Sequence, residues 1–179
     1  LGNMADRFKH IHEPARHELY TIGHLIEAGA VHYQMTGKRN LLNVAMKAAD
    51  NIDSVFGPDK RHSTPGHPEI EMGLIEMYRE TGEKRYLELG LFFLDERGKD
   101  HLKAVYNWTP TKYYQDHVPV RDASTMEGHA VRQLYLTAGV TDAYLEMGEQ
   151  ALFDAMLRQW HDMTERKMYI TGGVGALHS

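Results

Sequence analysis

Residues 23–37 read GHLIEAGAVHYQMTG, a Gly-His pair followed by apolar residues at helical spacing and closed by a glycine. The same arrangement returns at 66–82 (GHPEIEMGLIEMYRETG) and at 128–148 (GHAVRQLYLTAGVTDAYLEMG). Apolar spacings of three and four predict a helix in each segment, and a glycine after the last turn is typical of a helix end. Three helices, each opened by Gly-His, are therefore expected.

A second helical pattern begins directly after each of these glycines. Its apolar positions coincide at offsets of four, five, seven and eight residues from Gly37, Gly82 and Gly148. This coincidence indicates a three-fold repeat of a helical hairpin. The first helices carry small residues and the second carry more charge, which predicts an inner and an outer layer of a toroid or solenoid. The fold class expected is all-α.

One interval between the repeats is longer than the other. The Gly-His pairs begin 43 and then 62 residues apart, and the extra length matches residues 99–125, which are rich in Tyr, Pro and Asp. Turn-forming residues at this density make a helix improbable through most of the insertion. At its end, Ser124 and Glu127 have the spacing of a capping box for the third hairpin.

The repeat predicts where the three histidines lie. If the inner helices run parallel around an axis, His24, His67 and His129 all come near helix N-termini on one rim. Helix N-termini favour the neutral imidazole, which suits hydrogen bonding to hydroxyl groups. A shared sugar-binding pocket is one interpretation. The other is that each Gly-His pair only starts a helix, with the imidazole packed or capping locally.

Two further groups of polar residues stand out. In the insertion, Asp116 and His117 stand near two tyrosines and Arg121, where they are predicted to bind a ligand or to form a structural ion pair. Glu69 and Glu71 either reach the rim beside His67 or are solvated carboxylates of a first helical turn. The N-terminal HIHEPARHE lacks the spacing of a helical metal site, and the final GGVGALHS lacks the Lys-Ser/Thr of a phosphate loop.

Composition excludes several classes of protein. The 179 residues are 42% hydrophobic and 25% charged, with a net charge of −5, which is typical of a globular domain. No basic cluster interleaved with aromatic residues is present, so nucleic-acid binding is not expected. No apolar run is long enough for a membrane helix or a signal-peptide core, so a cytoplasmic location is expected, with export as the alternative. No cysteine is present, which excludes thiolate sites within these residues.

Four motifs carry a resemblance to a known family. HELYTIGHLIEAGAVHYQMTGKRNLL, PGHPEIEMGLIEMYRETGEKRYLELG, YYQDHVPVRDASTMEGHAVRQLYL and ERKMYITGGVGALHS together resemble glycoside hydrolase family 127, whose characterised members are β-L-arabinofuranosidases. The resemblance implies a catalytic (α/α)6 barrel, of which residues 1–179 would be about half, cut at the C-terminal end. An open half ring predicts self-association or contact with a missing C-terminal half.

The resemblance also implies a site and a reaction. His24, His67 and His129 match histidines that line the family's arabinofuranose subsite, and family motifs also include His17, Tyr20, Asp116 and His117. The family's retaining hydrolysis uses a zinc-held cysteine as nucleophile and a glutamate as acid/base. Those residues belong to motifs after this sequence, so the chain is expected to hold no catalytic residue and no metal or cofactor of its own. Zinc is implied only for the complete protein.

Two other functions fit the same repeat. An epimerase or an unsaturated-uronide hydrolase on the same barrel would use histidines and carboxylates without zinc. A non-enzymatic helical repeat module would bind a protein on its concave face, with the Tyr-rich insertion as the contact. The expected partner is an arabinofuranoside, and these 179 residues alone are expected to be inactive.

Overall fold

The computed structural model describes residues 7–11, 13, 16–102 and 111–175 of the chain. Within these ranges the fold is all-α, without a strand, and an isolated bridge pairs Phe56 with Arg61. Short 3₁₀ turns span Thr111–Tyr114 and Val120–Asp122, and a π-helical turn spans Met163–Lys167. The α-helices are α1 (Glu18–Thr36), α2 (Asn40–Asp53), α3 (Ile70–Thr81), α4 (Lys84–Glu96), α5 (Ala130–Met147) and α6 (Gln150–Asp162).

These helices form three consecutive hairpins in two layers. Each odd-numbered helix packs against the even-numbered helix that follows it, and α1, α3 and α5 also pack side by side. The outer helices make fewer contacts with one another. The inner and outer layers predicted from the repeat are therefore confirmed.

Glycine ends all three inner helices in the same way. Gly37, Gly82 and Gly148 have φ values of 67°, 73° and 65°, the left-handed conformation that other residues adopt at a cost. Each donates its backbone N–H to the carbonyl of a tyrosine four residues earlier. The chain reverses there, and the second helix of each hairpin begins within three residues.

The apolar core lies between successive hairpins. Leu19, Ile26, Leu42, Ile52 and Phe93 are among the buried residues that join the first hairpin to the second. A second cluster joins the second hairpin to the third, and it includes Ile75, Leu94, Leu136, Val140 and Leu152. Burial of this apolar surface supplies most of the favourable free energy of folding.

The helix starts differ from those expected. Because α1 begins at Glu18, Gly23 and His24 lie in its second turn, and α3 begins three residues after His67. Only α5 starts directly after its Gly-His pair. The predicted capping box of Ser124 and Glu127 is wrong, since His129 is the N-cap and its Nδ1 accepts from the backbone N–H of Arg132 at 3.4 Å. None of the described helices combines the length and the apolar character that a membrane span needs.

Candidate functional site

Five rings from three inner-helix ends contact one another, and we call them the ring cluster: His17, Tyr20, His24, His67 and Tyr135. Tyr20 lies at its centre, with ring centroids 4.3 Å from His67, 4.5 Å from His24 and 5.8 Å from both His17 and Tyr135. Four of the seven predicted binding residues are thus brought together.

The fold explains why these residues meet. His17 is the residue before α1, and Tyr20 and His24 lie four residues apart on one face of that helix. His67 lies just before α3, and Tyr135 lies in the second turn of α5. Parallel packing of the inner helices therefore gathers the rings at one rim, although Gly-His does not open every helix.

His67 is held as a neutral hydrogen-bond acceptor. Its ring is buried, and its Nδ1 lies 2.7 Å from the Pro68 carbonyl oxygen. A carbonyl can only accept, so Nδ1 carries a proton. Burial lowers the pKa of His67 to about 4 despite this hydrogen bond, and the nearby charge of Arg132 lowers it further. The ring is therefore neutral near pH 7, with a lone pair on Nε2.

His129 lies beside the ring cluster. Its ring centroid is 5.4 Å from that of Tyr113, and it is close enough to His67 to affect the pKa of His67. Next to it, the Arg132 guanidinium lies over the rings of Tyr113 and Tyr114, and its Nε donates to the Gly66 carbonyl at 3.0 Å. Arg132 therefore joins α5 to the turn that carries His67.

The two insertion residues lie outside the ring cluster. Asp116 is buried, and its carboxylate accepts from the backbone N–H groups of Gly98 at 2.8 Å and Leu102 at 2.9 Å. These bonds give Asp116 a structural role and leave its predicted sugar contact without support. The proposed ion pair with Arg121 is wrong too, because Arg121 contacts Asp95 and Glu149. His117 is exposed and stays a prediction.

The two glutamates before and in the first turn of α3 are buried, so their description as solvated carboxylates is wrong. Glu69 is 0% exposed, and its Oε1 lies 3.0 Å from Nδ1 of His24. Burial raises the pKa of Glu69 to about 10, helped by the nearby carboxyl groups of Glu27 and Glu71. Glu71 contacts buried Arg97. Glu69 is therefore protonated near pH 7.

Gly23 is required by the position of Glu69. A Cβ atom added at Gly23 would lie 2.0 Å from Oε2 of Glu69 and 3.1 Å from the Ile70 Cα. At the same crossing of α1 and α3, a Cβ at Gly73 would lie 2.9 Å from the Gly23 carbonyl oxygen. Gly23, the glycine before His24, thus makes room for the buried carboxyl group of Glu69. Gly128, the glycine before His129, is favoured for another reason, because its φ of 75° lies in the left-handed region.

The substitution Gly23→Ala is expected to lower the free energy of unfolding by about 2 kcal/mol, because the overlap outweighs the helix propensity gained. Urea denaturation of the full-length protein measures this change. Gly139→Ala is the matched control, since its nearest contact is a side-chain atom at 3.2 Å, and it is expected to change stability by about 1 kcal/mol or less. Equal stability of Gly23→Ala and wild type would contradict the packing described.

Among the described residues, one group could hold a metal ion by geometry. His24, Glu27 and Glu69 place their ligand atoms within 4.8 Å of one another. The zinc implied by the family resemblance needs thiolates, and the sequence contains no cysteine. The residues present therefore do not fit that zinc site. At the N-terminus, His10 pairs with Glu13 at 2.5 Å, and His12 lies outside the described residues.

Tyr135 is a member of the ring cluster that the sequence does not single out, because it lies at apolar spacing in a helical segment. It lies six residues after His129 in a segment whose pattern predicts a buried face. In the structure it is half-buried, and its hydrogen bond with Tyr20, together with burial, raises its pKa to about 12. The signal available in the sequence is a tyrosine within two helical turns of a Gly-His pair, which would place its ring near the histidine rim.

Comparisons with known proteins identify one family. Residues 2–179 match the family model described as β-L-arabinofuranosidase, GH127 catalytic domain. A non-reducing end β-L-arabinofuranosidase of Bifidobacterium longum subsp. longum is 42% identical over 194 aligned residues, which cover 99% of this chain and 29% of that protein.

Solved structures give the same result. The crystal structure of a GH127 β-L-arabinofuranosidase from Geobacillus stearothermophilus T6 superposes with a TM-score of 0.89 at 37% identity, covering 95% of this chain and 29% of that one. A second GH127 β-arabinofuranosidase superposes with a TM-score of 0.81 at 40% identity, covering 90% of this chain and 25% of that one. The chain thus spans less than a third of the length of these relatives.

Proposed function

The chain belongs to glycoside hydrolase family 127, and from this premise we propose that it forms the first part of the catalytic domain of a β-L-arabinofuranosidase. In this proposal the complete protein releases β-L-arabinofuranose from glycans with retention of configuration. The chain supplies one wall of the sugar subsite. The nucleophile, the acid/base and the zinc ion belong to residues outside these 179.

The observation that carries the proposal is the ring cluster with its fixed imidazole. A furanose ring offers hydroxyl groups that donate and accept hydrogen bonds, and apolar C–H faces that pack on aromatic rings. His67 offers an acceptor whose protonation is set by burial and by the Pro68 carbonyl. Tyr20 and Tyr135 offer ring faces and hydroxyl groups beside it. Neutral groups of this kind suit a sugar better than an ionic ligand.

A second observation supports the proposal that the barrel continues beyond the third hairpin. The α5–α6 hairpin exposes Leu134, Phe153, Leu157 and Trp160, which line a groove of ≈ 440 Å³ with Met126 and Met163. Exposed apolar surface of this extent marks a contact face. In our proposal the next helical hairpin of the complete protein covers this groove. Self-association of the isolated 179 residues through the same face is the alternative.

Hydrolysis of an aryl β-L-arabinofuranoside by the full-length protein tests the function. We expect release of the aryl alcohol from this substrate, and no release from the aryl α-L-arabinofuranoside, whose leaving group is on the opposite face of the ring. The 179 residues alone are expected to be inactive. Turnover by those residues alone would contradict the proposal, as would a full-length protein that cleaves only other glycosides.

A further inference from the structure

Glu69 has no part in the function proposed so far, although it lies against a residue of the ring cluster. Its side chain is fully buried between α1 and α3, and its Oε1 lies 3.0 Å from Nδ1 of His24. Among the described residues, neither of its carboxyl oxygens has a hydrogen-bond partner of regular geometry. A buried ionised carboxylate without such partners is unfavourable, so the group needs either a proton or a cation.

The surroundings of Nδ1 determine which ring nitrogen of His24 carries the proton. Besides Glu69, the carboxylate of Glu27 lies 3.3 Å from the same Nδ1. If Nδ1 were unprotonated, its lone pair would face the lone pairs of Glu27. A proton on Nδ1 removes this repulsion, and Oε1 of Glu69 at 3.0 Å is within reach to accept it. In the neutral ring, Nε2 is then an acceptor.

We propose that Glu69 is a positioning residue whose Oε1 accepts the Nδ1 proton of His24, so that Nε2 of His24 is presented to the substrate as an acceptor. This proposal rests on the proposed function, because the substrate group concerned is a donating hydroxyl of the furanose. Nδ1 of His67 is fixed in the same way by a carbonyl. The subsite therefore offers two imidazole acceptors, and it selects a sugar with two donating hydroxyls in reach of them.

The substitution Glu69→Gln separates this role from an acidic or metal-binding role. A glutamine amide keeps an oxygen that can accept from Nδ1 of His24, and its N–H group can donate to Glu27. It has no carboxylate with which to bind a cation or to transfer a proton. In the full-length protein, we expect Glu69→Gln to keep kcat/KM for an aryl β-L-arabinofuranoside within about 3-fold of wild type.

The substitution Glu69→Leu removes the acceptor and leaves a similar volume. We expect kcat/KM to fall by about 10-fold, the equivalent of one lost hydrogen bond, with most of the change in KM. Glu88→Gln, at an exposed position of α4, is the matched control and is expected to leave kcat/KM unchanged. A folded Glu69→Leu variant with wild-type kcat/KM would overturn the proposal. A Glu69→Gln variant as impaired as Glu69→Leu would do the same, and would favour a cation at His24, Glu27 and Glu69.

The protonation of His24 can be measured without substrate. In solid-state ¹⁵N spectra of full-length protein labelled at histidine, the His24 resonances are those missing from His24→Gln. We expect a protonated Nδ1 and an unprotonated Nε2 in wild type and in Glu69→Gln, and loss of this pattern in Glu69→Leu. An unprotonated Nδ1 in wild type would overturn the proposal. If Glu69→Leu does not fold, the spectra of wild type and Glu69→Gln still decide. Lack of arabinofuranosidase activity in wild type would instead refute the proposed function.

Discussion

Replacing Glu71 by alanine is expected to lower the free energy of unfolding by about 3–5 kcal/mol, because it leaves a buried guanidinium without its carboxylate. Glu71 and Arg97 are 1% and 0% exposed, and Oε1 of Glu71 lies 3.4 Å from Nη2 of Arg97. The other oxygen of Glu71 accepts from the backbone N–H of Glu69 at 2.9 Å. Both bonds are lost in Glu71→Ala.

The structural effect of Glu71→Ala should extend to the inserted segment. Nη1 of Arg97 donates to the Tyr114 carbonyl at 3.1 Å, and the Tyr114 ring lies under Arg132, which binds the turn carrying His67. An Arg97 side chain that turns toward solvent would therefore disturb the contacts that hold the turn carrying His67, as well as the core. We expect Glu71→Ala to lose activity at a temperature well below that at which wild type does.

Urea denaturation of the full-length protein measures the change in unfolding free energy. Glu88→Ala, at an exposed position of α4, is the control and is expected to change stability by about 0.5 kcal/mol or less. The double variant Glu71→Met/Arg97→Met removes both charges and is expected to recover most of the loss. A loss of less than about 1 kcal/mol in Glu71→Ala would show that the pair is not the buried contact described.

Replacing His67 by alanine is expected to lower kcat/KM of the full-length protein by about 100-fold, the equivalent of about 2.7 kcal/mol of binding to the transition state. His67 is buried at the base of the ring cluster and offers Nε2 as an acceptor. In the proposed subsite its removal leaves a sugar hydroxyl without a partner, and it opens space in which Tyr20 and His17 lose their ring contacts.

The control for this prediction is His161→Ala, because His161 is exposed on α6 and forms an ion pair with Glu165, also exposed. It should leave kcat/KM unchanged. The unfolding midpoint of His67→Ala is measured alongside, so that a folding defect is recognised. If the folded His67→Ala variant hydrolyses the aryl β-L-arabinofuranoside within twofold of wild type, His67 does not contact the sugar as proposed.

The hairpin repeat was predictable because it depends on local features. Apolar spacing and the helix-ending Gly37, Gly82 and Gly148 identify each hairpin, and the structure confirms them. The start of α1 was not predictable in the same way, because its helix extends one turn before the Gly-His pair and no capping residue marks the boundary. Helix starts depend on tertiary contacts more than helix interiors do.

Part of the site was predictable and part was not. The repeat alone indicates that His24 and His67 share a rim, and the structure brings both into contact with Tyr20. Burial could not be predicted, since Glu69 has the sequence signature of a solvated first-turn acid and owes its burial to the crossing of α1 and α3 at Gly23. Asp116 has the sequence pattern of a ligand-binding loop residue, and its structural role could not be predicted because its partners, the backbone N–H groups of Gly98 and Leu102, meet it only in the folded chain.

A crystal structure of the full-length protein soaked with a non-hydrolysed β-L-arabinofuranoside is the most direct test of this account. We expect the furanose ring to pack in the ring cluster, with two of its hydroxyl groups within hydrogen-bonding distance of Nε2 of His24 and Nε2 of His67. A furanose bound elsewhere, with no hydroxyl in reach of either imidazole, would contradict the account.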